Sequence, residues 1–348
     1  MLFDPQDDGR RSPFPRRGRF YKANLHGHTR YSDGRLTPEQ TAQLYRAQGY
    51  AVYAFTDHLI EIARRGGPDA YIRHIQSVAT SDFLPLTGFE ITFERQCAAG
   101  EMRPAGNIHL NVIASVPQPS QTPPLSVYGQ SYTREDVSAM NRLIAGLSQA
   151  GYRVHFNHPA WSGGDSAIYL GLAGYQAMEI YNSTTDHLSQ EGDSSLIYQK
   201  ILESGRMIGC LATDDVHGGV DELEAGCFDG FQGWTMIHAE ELTYNSIFQA
   251  LDAGRYYCST GPALYDLEEE DGVVRLSCSP AARIFCKGLD SHSPLAAYGR
   301  GGLLTEAYFD LRQLKGSPFA RFEIVDSQGR SAWTNPYPLK EDSTACLI

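Results

Sequence analysis

Apolar positions in the first two thirds of this chain come in two alternating kinds of segment. Short compact runs read as strands, and longer stretches of helical period separate them. Residues 19–24 form the first strand. A helix then opens at Thr37, the expected N-cap, with Pro38 in its first position, Gln40 completing a capping box and Gly49 ending it. Residues 50–55 are almost continuously apolar, as in a strand covered on both faces. The pattern continues with a helix over 69–80, a strand over 83–90 and a strand over 107–113. A helix over 133–150 follows an excursion loop at 115–132 rich in Pro, Ser and Gln. Strands at 152–159, 177–182, 207–213 and 231–238 alternate with helices at 193–204 and 240–253.

Past residue 262 the helical period stops. Short strand candidates at 273–278, 283–286, 305–311 and 319–325 are divided by turn residues such as Asp271-Gly272 and Gln328-Gly329, the pattern of a small antiparallel β domain. The domains expected are therefore an N-terminal arm at 1–18, an α/β domain at 19–262 and a β domain at 263–348.

Composition narrows the partners. The 348 residues suit one large domain and a small one, and the net charge of -12 argues against nucleic acid or an anionic membrane. The seven cysteines, at 97, 210, 227, 258, 278, 286 and 346, include no C-x-x-C pair. They read as reduced thiols, mostly small buried hydrophobes, in a cytoplasmic protein. The arginine-rich start lacks the apolar stretch of a signal peptide, and no run is long enough to span a membrane.

Chemistry concentrates at strand ends. His26 and His28 share one face of the first strand's extension, with Asp33 in the Ser32-Asp33-Gly34 turn. The second strand runs into Thr56-Asp57-His58, the third ends in Glu90, a fifth in Asn157-His158-Pro159, and a later one in Asp214-Asp215-Val216-His217. A lone His109 in an apolar strand reads by itself as a hydrogen-bonded core residue; its place in this series makes it a ligand candidate. Ligating residues gathered at strand C-termini imply a parallel α/β barrel, whose active site forms at that face. A doubly wound open sheet is the alternative, weakened by the lack of a G-x-G-x-x-G after the first strand. Mixed imidazole and carboxylate donors suit Zn, Mn or Fe, and since the ligands must be deprotonated, activity should fall in acid.

Taken in order, His26-x-His28, Ser32-Asp33-Gly34, Thr56-Asp57-His58, Gly88-Phe89-Glu90, His109, Asn157-His158-Pro159 and Asp215-x-His217 resemble the PHP superfamily, the polymerase-and-histidinol-phosphatase metallohydrolases, over residues 19–260. The C-terminal segment, with Ala332-Trp333-Thr334-Asn335-Pro336, resembles the carbamate-hydrolase (CehA/McbA-type) branch. The resemblance implies a distorted seven-stranded (β/α) barrel with two or three divalent metal ions. It places one metal on His26, His28, Glu90 and Asp215, a second on Glu90, His109 and His158, and a third on Asp33, His58 and His217. Asp214 is then left to a supporting or capping role.

The function expected is hydrolysis of a small phosphomonoester by a metal-activated hydroxide. Arg30 and Arg35 flank the first motif and are candidates to bind phosphate oxygens, and His187 is a candidate to protonate a leaving group. His74, His238 and His292 read as structural or exposed. Two other functions fit the pattern: cleavage of carboxylic or carbamate esters, and a non-catalytic metal-binding barrel. The intact ligand series weighs against the last. Phosphatases and a polymerase-associated exonuclease share such a constellation, and the acidic charge weighs against the exonuclease. Substrate, metal identity and oligomeric state are not readable from the sequence.

Overall fold

The computed structural model describes residues 4–5, 11–93, 107–123, 137–163 and 166–339. Cys97, Cys346, the 97–105 loop, residues 124–132 of the 115–132 loop and the start of the helix expected at 133 lie outside the described residues. The chain is mixed α/β and forms two compact units. One holds residues 21–235 and 241–248, the other 1–20, 236–240 and 249–348.

The larger unit is built on seven strands in sequence order: β1 Arg19–Asn24, β2 Val52–Phe55, β3 Leu84–Phe93, β4 Ile108–Ala114, β5 Tyr152–Phe156, β6 Ala177–Asn182 and β7 Gly209–Thr213. The local rules hold well in its first helix, α1 (Pro38–Ala47). Thr37 and Gln40 exchange both capping-box hydrogen bonds, and Gly49 leaves the helix at φ 78, a value glycine takes without strain. Thr41, Ala42 and Tyr45 form its buried face. Every residue of β2 is buried, which is why its sequence does not alternate.

The sheet departs from the all-parallel expectation at one strand. β1, β2 and β3 run parallel, as do β5, β6 and β7, but β4 is antiparallel to both its neighbours. Phe93 pairs with Ile108, so the chain returns at the same end of the sheet. This pairing extends β3 past Glu90, which is therefore mid-strand rather than terminal, opposite Asn111. It also brings His109 to the site end from the beginning of its strand, not from a C-terminus. Beyond the regular ladders, Gly27 bridges Val216 in parallel, with His28 N donating to Val216 O (3.0 Å) and Asp215 N to His26 O (3.0 Å).

Helices α2 (Leu59–Arg64), α3 (Pro68–Ser77), α4 (Val137–Gln149), α5 (Ser166–Gly171), α6 (Ser183–Ser189), α7 (Ser195–Glu203) and α8 (Val220–Ala225) connect the strands. The unexpected ones, α2, α5, α6 and α8, have six or seven residues, too few to display a 3.6-residue period. No helix among the described residues is long and apolar enough to cross a membrane.

The chain continues through β8 Trp234–Ala239, α9 Tyr244–Asp252 and β9 Tyr256–Ser259. The smaller unit is antiparallel, as expected after residue 262. β10 Leu264–Glu270, β11 Val273–Ala281 and β14 Leu304–Asp310 form one ladder. β13 Leu295–Tyr298, β12 Arg283–Lys287, β15 Phe319–Val325, β16 Ser331–Thr334 and β9 form the other. Leu267, Val274, Leu276, Ile284, Phe322 and Ile324 belong to one buried cluster. Cys278 and Cys286 lie in it as small hydrophobes. The Asp271-Gly272 turn takes φ 50 and 80, the left-handed pair a two-residue hairpin needs. β10 escapes sequence detection because its second half, Glu268-Glu269-Glu270, is charged. The N-terminal segment is no loose arm throughout: Phe14 is buried in the same cluster, in ring contact with Phe20 (4.9 Å) and His238 (5.7 Å).

Candidate metal centre

β1 runs straight into His26 and His28, both buried, and the pleat points both rings the same way. Their tautomers follow from their other partners. His26 Nδ1 donates to Glu179 Oε1 at 2.7 Å, which leaves Nε2 with its lone pair. The Ser32 hydroxyl donates to Asp57 Oδ1 (2.8 Å), so at 3.0 Å it accepts from His28 Nδ1. His28 Nε2 is thereby the free nitrogen. The two Nε2 atoms lie 3.2 Å apart, and Asp215 Oδ1 sits 3.0 Å from each. Glu90 completes the group at 3.4 Å from His26 Nε2 and 3.3 Å from His28 Nε2.

The other ligand candidates join this nucleus on two sides. His109 Nδ1 is 3.0 Å and His158 Nε2 3.7 Å from Glu90 Oε1. His58 Nδ1 is 3.1 Å from Glu90 Oε2, and its Nε2 is 3.6 Å from Asp33 Oδ2. His217 donates from Nδ1 to the Asp215 carbonyl (2.6 Å) and turns Nε2 toward Asp33 Oδ1 at 3.4 Å. The structure thus brings eight of the nine sequence-predicted ligands together in three overlapping groups: His28, Asp33, His58, His217; His26, His28, Glu90; and Glu90, His109, His158; the ninth, Asp215, has its Oδ1 against both imidazoles of the middle group.

These residues fit a divalent cation. Asp215 Oδ1, His58 Nδ1 and His158 Nδ1 are buried and lack a hydrogen-bond partner among the described residues. Imidazole lone pairs and carboxylate oxygens aimed at shared centres repel one another unless a cation or protons lie between them. His158 takes φ 26, a strained value for a residue with a side chain, and Asp215 takes φ 55, in the left-handed region that aspartate tolerates. His158 N is anchored on Glu179 Oε2 (2.8 Å), and the Asp215 carbonyl accepts from Thr184 Oγ1 (2.8 Å).

Three supporting residues were not assigned a role from sequence. Glu179 orients His26; Asp57 accepts from Thr29 N, Thr29 Oγ1 and Ser32 Oγ; and Asn157 Nδ2 donates to Glu90 Oε1 at 2.7 Å. Glu179 carried the same signal that marked Glu90, a single carboxylate in an apolar strand. Asp214 proves a backbone clamp, accepting from Phe231, Gln232 and Gly233 N–H groups and from Tyr45 Oη.

The centre opens into a cavity of about 540 Å³ also lined by Arg35, Trp161, His187, Leu188 and Cys227. Trp161 packs its ring 4.9 Å from that of His158. His187 stands exposed on this wall, on α6. Arg35 reaches the wall too, but its guanidinium is bound by Glu222 and, at 2.6 Å, by Asp221. Arg30 is exposed and outside the cavity lining, its Nε donating to Arg35 O (2.8 Å).

Without metal, protons take the place of the cations. Burial and the neighbouring His217 disfavour the charged form of His28, yet hydrogen bonds to Asp215 and Glu90 outweigh them and raise it to about 9. His217 also rises to about 9, burial being outweighed by Asp33 and Asp215. Both folded-state values lie above the ordinary value of 6.5. The stability they contribute to the metal-free protein is complete below about 6.5 and lost as pH rises through about 9. Metal loading near pH 7.5 should therefore release protons, fewer as pH approaches 9. Calorimetric titration in buffers of different ionisation enthalpy measures this; uptake without proton release would contradict the ligand assignment.

No family model and no curated protein matches the sequence. Solved structures do resemble it. A two-domain protein from Bacteroides vulgatus, containing a predicted PHP-like metal-dependent phosphoesterase, matches with TM-score 0.48 and 16% identity, over 94% of this chain and 97% of its own. An amidohydrolase from Chromobacterium violaceum, with bound sulfate and no metal, matches at TM-score 0.38 and 14% identity over 67% of this chain and 96% of its own. A proposed metal-dependent phosphoesterase from Bifidobacterium adolescentis gives 0.35 and 15%, over 59% and 89%. At these scores the function rests on the side chains of the chain itself.

Proposed function

We propose that this chain is a metal-dependent hydrolase of the PHP type, cleaving a small phosphomonoester at a centre of two or three divalent ions. The observation that carries the proposal is the convergence of three candidate ligand groups, the first joined to the second through His28 and the second to the third through Glu90, at an open cavity. A structural metal site is closed by protein ligands, whereas this one faces space for a substrate. Divalent ions bound here would supply a nucleophile at neutral pH and stabilise charge developing on ester oxygens. The protein's own contribution is to fix each imidazole in one tautomer, hold Glu90 and Asp215 in place, and wall the substrate with Trp161 and Leu188. His187 is the leaving-group proton donor in this proposal, by its place on the cavity wall. A phosphate-binding part for Arg30 would require its guanidinium to leave the Arg35 carbonyl and turn inward. The seven-strand run reads as a distorted barrel, supported by the Gly27–Val216 bridge.

Carboxylic or carbamate esters are the second reading. It is favoured by Arg35, the one arginine on the described cavity wall, being already bound to two carboxylates rather than free for a phosphate. The two are separated by assaying metal-loaded protein on phosphomonoesters, phosphodiesters, aryl esters and carbamates in parallel, with Asp215→Asn as blank. Phosphate release that the variant lacks supports the first reading. Ester or carbamate cleavage alone replaces it with the second, and silence on every class with metal bound removes the hydrolase assignment.

A further inference from the structure

We propose that Glu179 is the positioning residue on which the metal centre is aligned, an inference that rests on the metal reading above. Glu179 lies on β6 and is 1% exposed. Its Oε1 accepts from His26 Nδ1 and Thr213 Oγ1, both at 2.7 Å. Its Oε2 accepts from His158 N and Asn182 Nδ2, both at 2.8 Å. All four neighbours donate, and an ionised carboxylate is the side chain that only accepts.

Each bond sets a different ligand. The bond to His26 puts the proton on Nδ1 and aims the Nε2 lone pair at the centre, where His28 Nε2 lies at 3.2 Å and Asp215 Oδ1 at 3.0 Å. The bond to His158 N holds a residue whose φ of 26 is unfavourable for any side chain but glycine. Asn182 passes the restraint on, since the same Nδ2 donates to Asp215 Oδ2 at 3.2 Å. One carboxylate therefore references His26, His158 and Asp215, which belong to different parts of the centre, to a single point. Carboxylates that orient metal-bound imidazoles in this way contribute strongly to metal affinity.

Glu179→Gln is the informative change, because the amide keeps the shape but must present its NH2 to one pair of donors. Turned toward His26, it requires Nδ1 to accept, moving the proton to Nε2 and removing the lone pair. Turned toward His158, it sets N–H against N–H. We expect titrations of metal-free protein with Zn and with Mn to show Glu179→Gln binding about 10–100-fold more weakly in the steps that fill the groups holding His26 and His158, with an unchanged circular dichroism spectrum. His26→Ala serves as the comparison. Metal taken up by the wild type, weakened in His26→Ala and within threefold of wild type in Glu179→Gln, overturns the role of Glu179 and leaves the metal centre standing. No uptake by the wild type removes the centre and the inference together. The wild type supplies an independent check if the variant does not fold. Long-range proton–nitrogen NMR of the zinc-loaded protein should show His26 coordinated through Nε2 with a hydrogen-bonded Nδ1 proton, and coordination through Nδ1 overturns the proposal.

Discussion

Asp215→Asn should lower hydrolysis by about a hundred- to ten-thousandfold while leaving the fold as it is. The estimate follows from the several kcal/mol that a correctly held metal contributes to the transition state, at roughly 1.36 kcal/mol per decade of rate. The change isolates one atom. Asp215 sits at φ 55, a conformation asparagine tolerates as well as aspartate, so the backbone has no reason to move. A retained Oδ atom can still receive the Asn182 amide (3.2 Å). What is lost is the anionic oxygen 3.0 Å from His26 Nε2 and from His28 Nε2, which has no hydrogen-bond donor among the described residues. Bound metal, measured by elemental analysis after dialysis, should fall with the rate. A variant with wild-type turnover and metal content would show that Asp215 holds nothing.

Most of the candidate ligands were legible because a local rule marks them, His109 only by its place in the series. His26 and His28 share a face by strand alternation, and Asp215 and His217 flank one residue in the same manner. What stayed hidden was relational. That β4 runs backward depends on the return of the chain after Phe93, and nothing in residues 107–113 encodes direction. Glu90 looked like a strand end because the partner that prolongs β3 lies in a later segment. Asp57 and Glu179 act through Ser32 and His26, and a residue acting through another leaves no spacing motif. Arg35 flanks the first motif in sequence, yet Asp221 and Glu222, almost two hundred residues later, bind its guanidinium.

Adjacency misleads most at Asp214 and Asp215, and here a second large effect is expected. Asp214→Ala should cost about 3–5 kcal/mol of stability, whereas Asp215→Asn leaves the fold intact. Asp214 is 0% exposed and accepts Phe231 N (2.9 Å), Gln232 N (3.0 Å), Gly233 N (3.0 Å) and Tyr45 Oη (2.8 Å). Burial raises its carboxyl to about 6 against the pull of these donors, so it is still mostly ionised near pH 7. The clamp also fixes Phe231 at φ 68, outside the usual range for an aromatic residue. Alanine strands four donors in the interior, and each unsatisfied buried group costs roughly 1–3 kcal/mol, partly recovered where water enters. Asparagine keeps one acceptor and should fall between alanine and wild type. Urea unfolding of the metal-free proteins above the pH of about 9 at which His28 and His217 lose their protons, and with them the stabilising pull of Asp215, separates the two aspartates: a large shift of the midpoint for Asp214→Ala and little for Asp215→Asn. The reverse order would mean that the ligand is Asp214 and that the carboxylate next to His26 and His28 is structural.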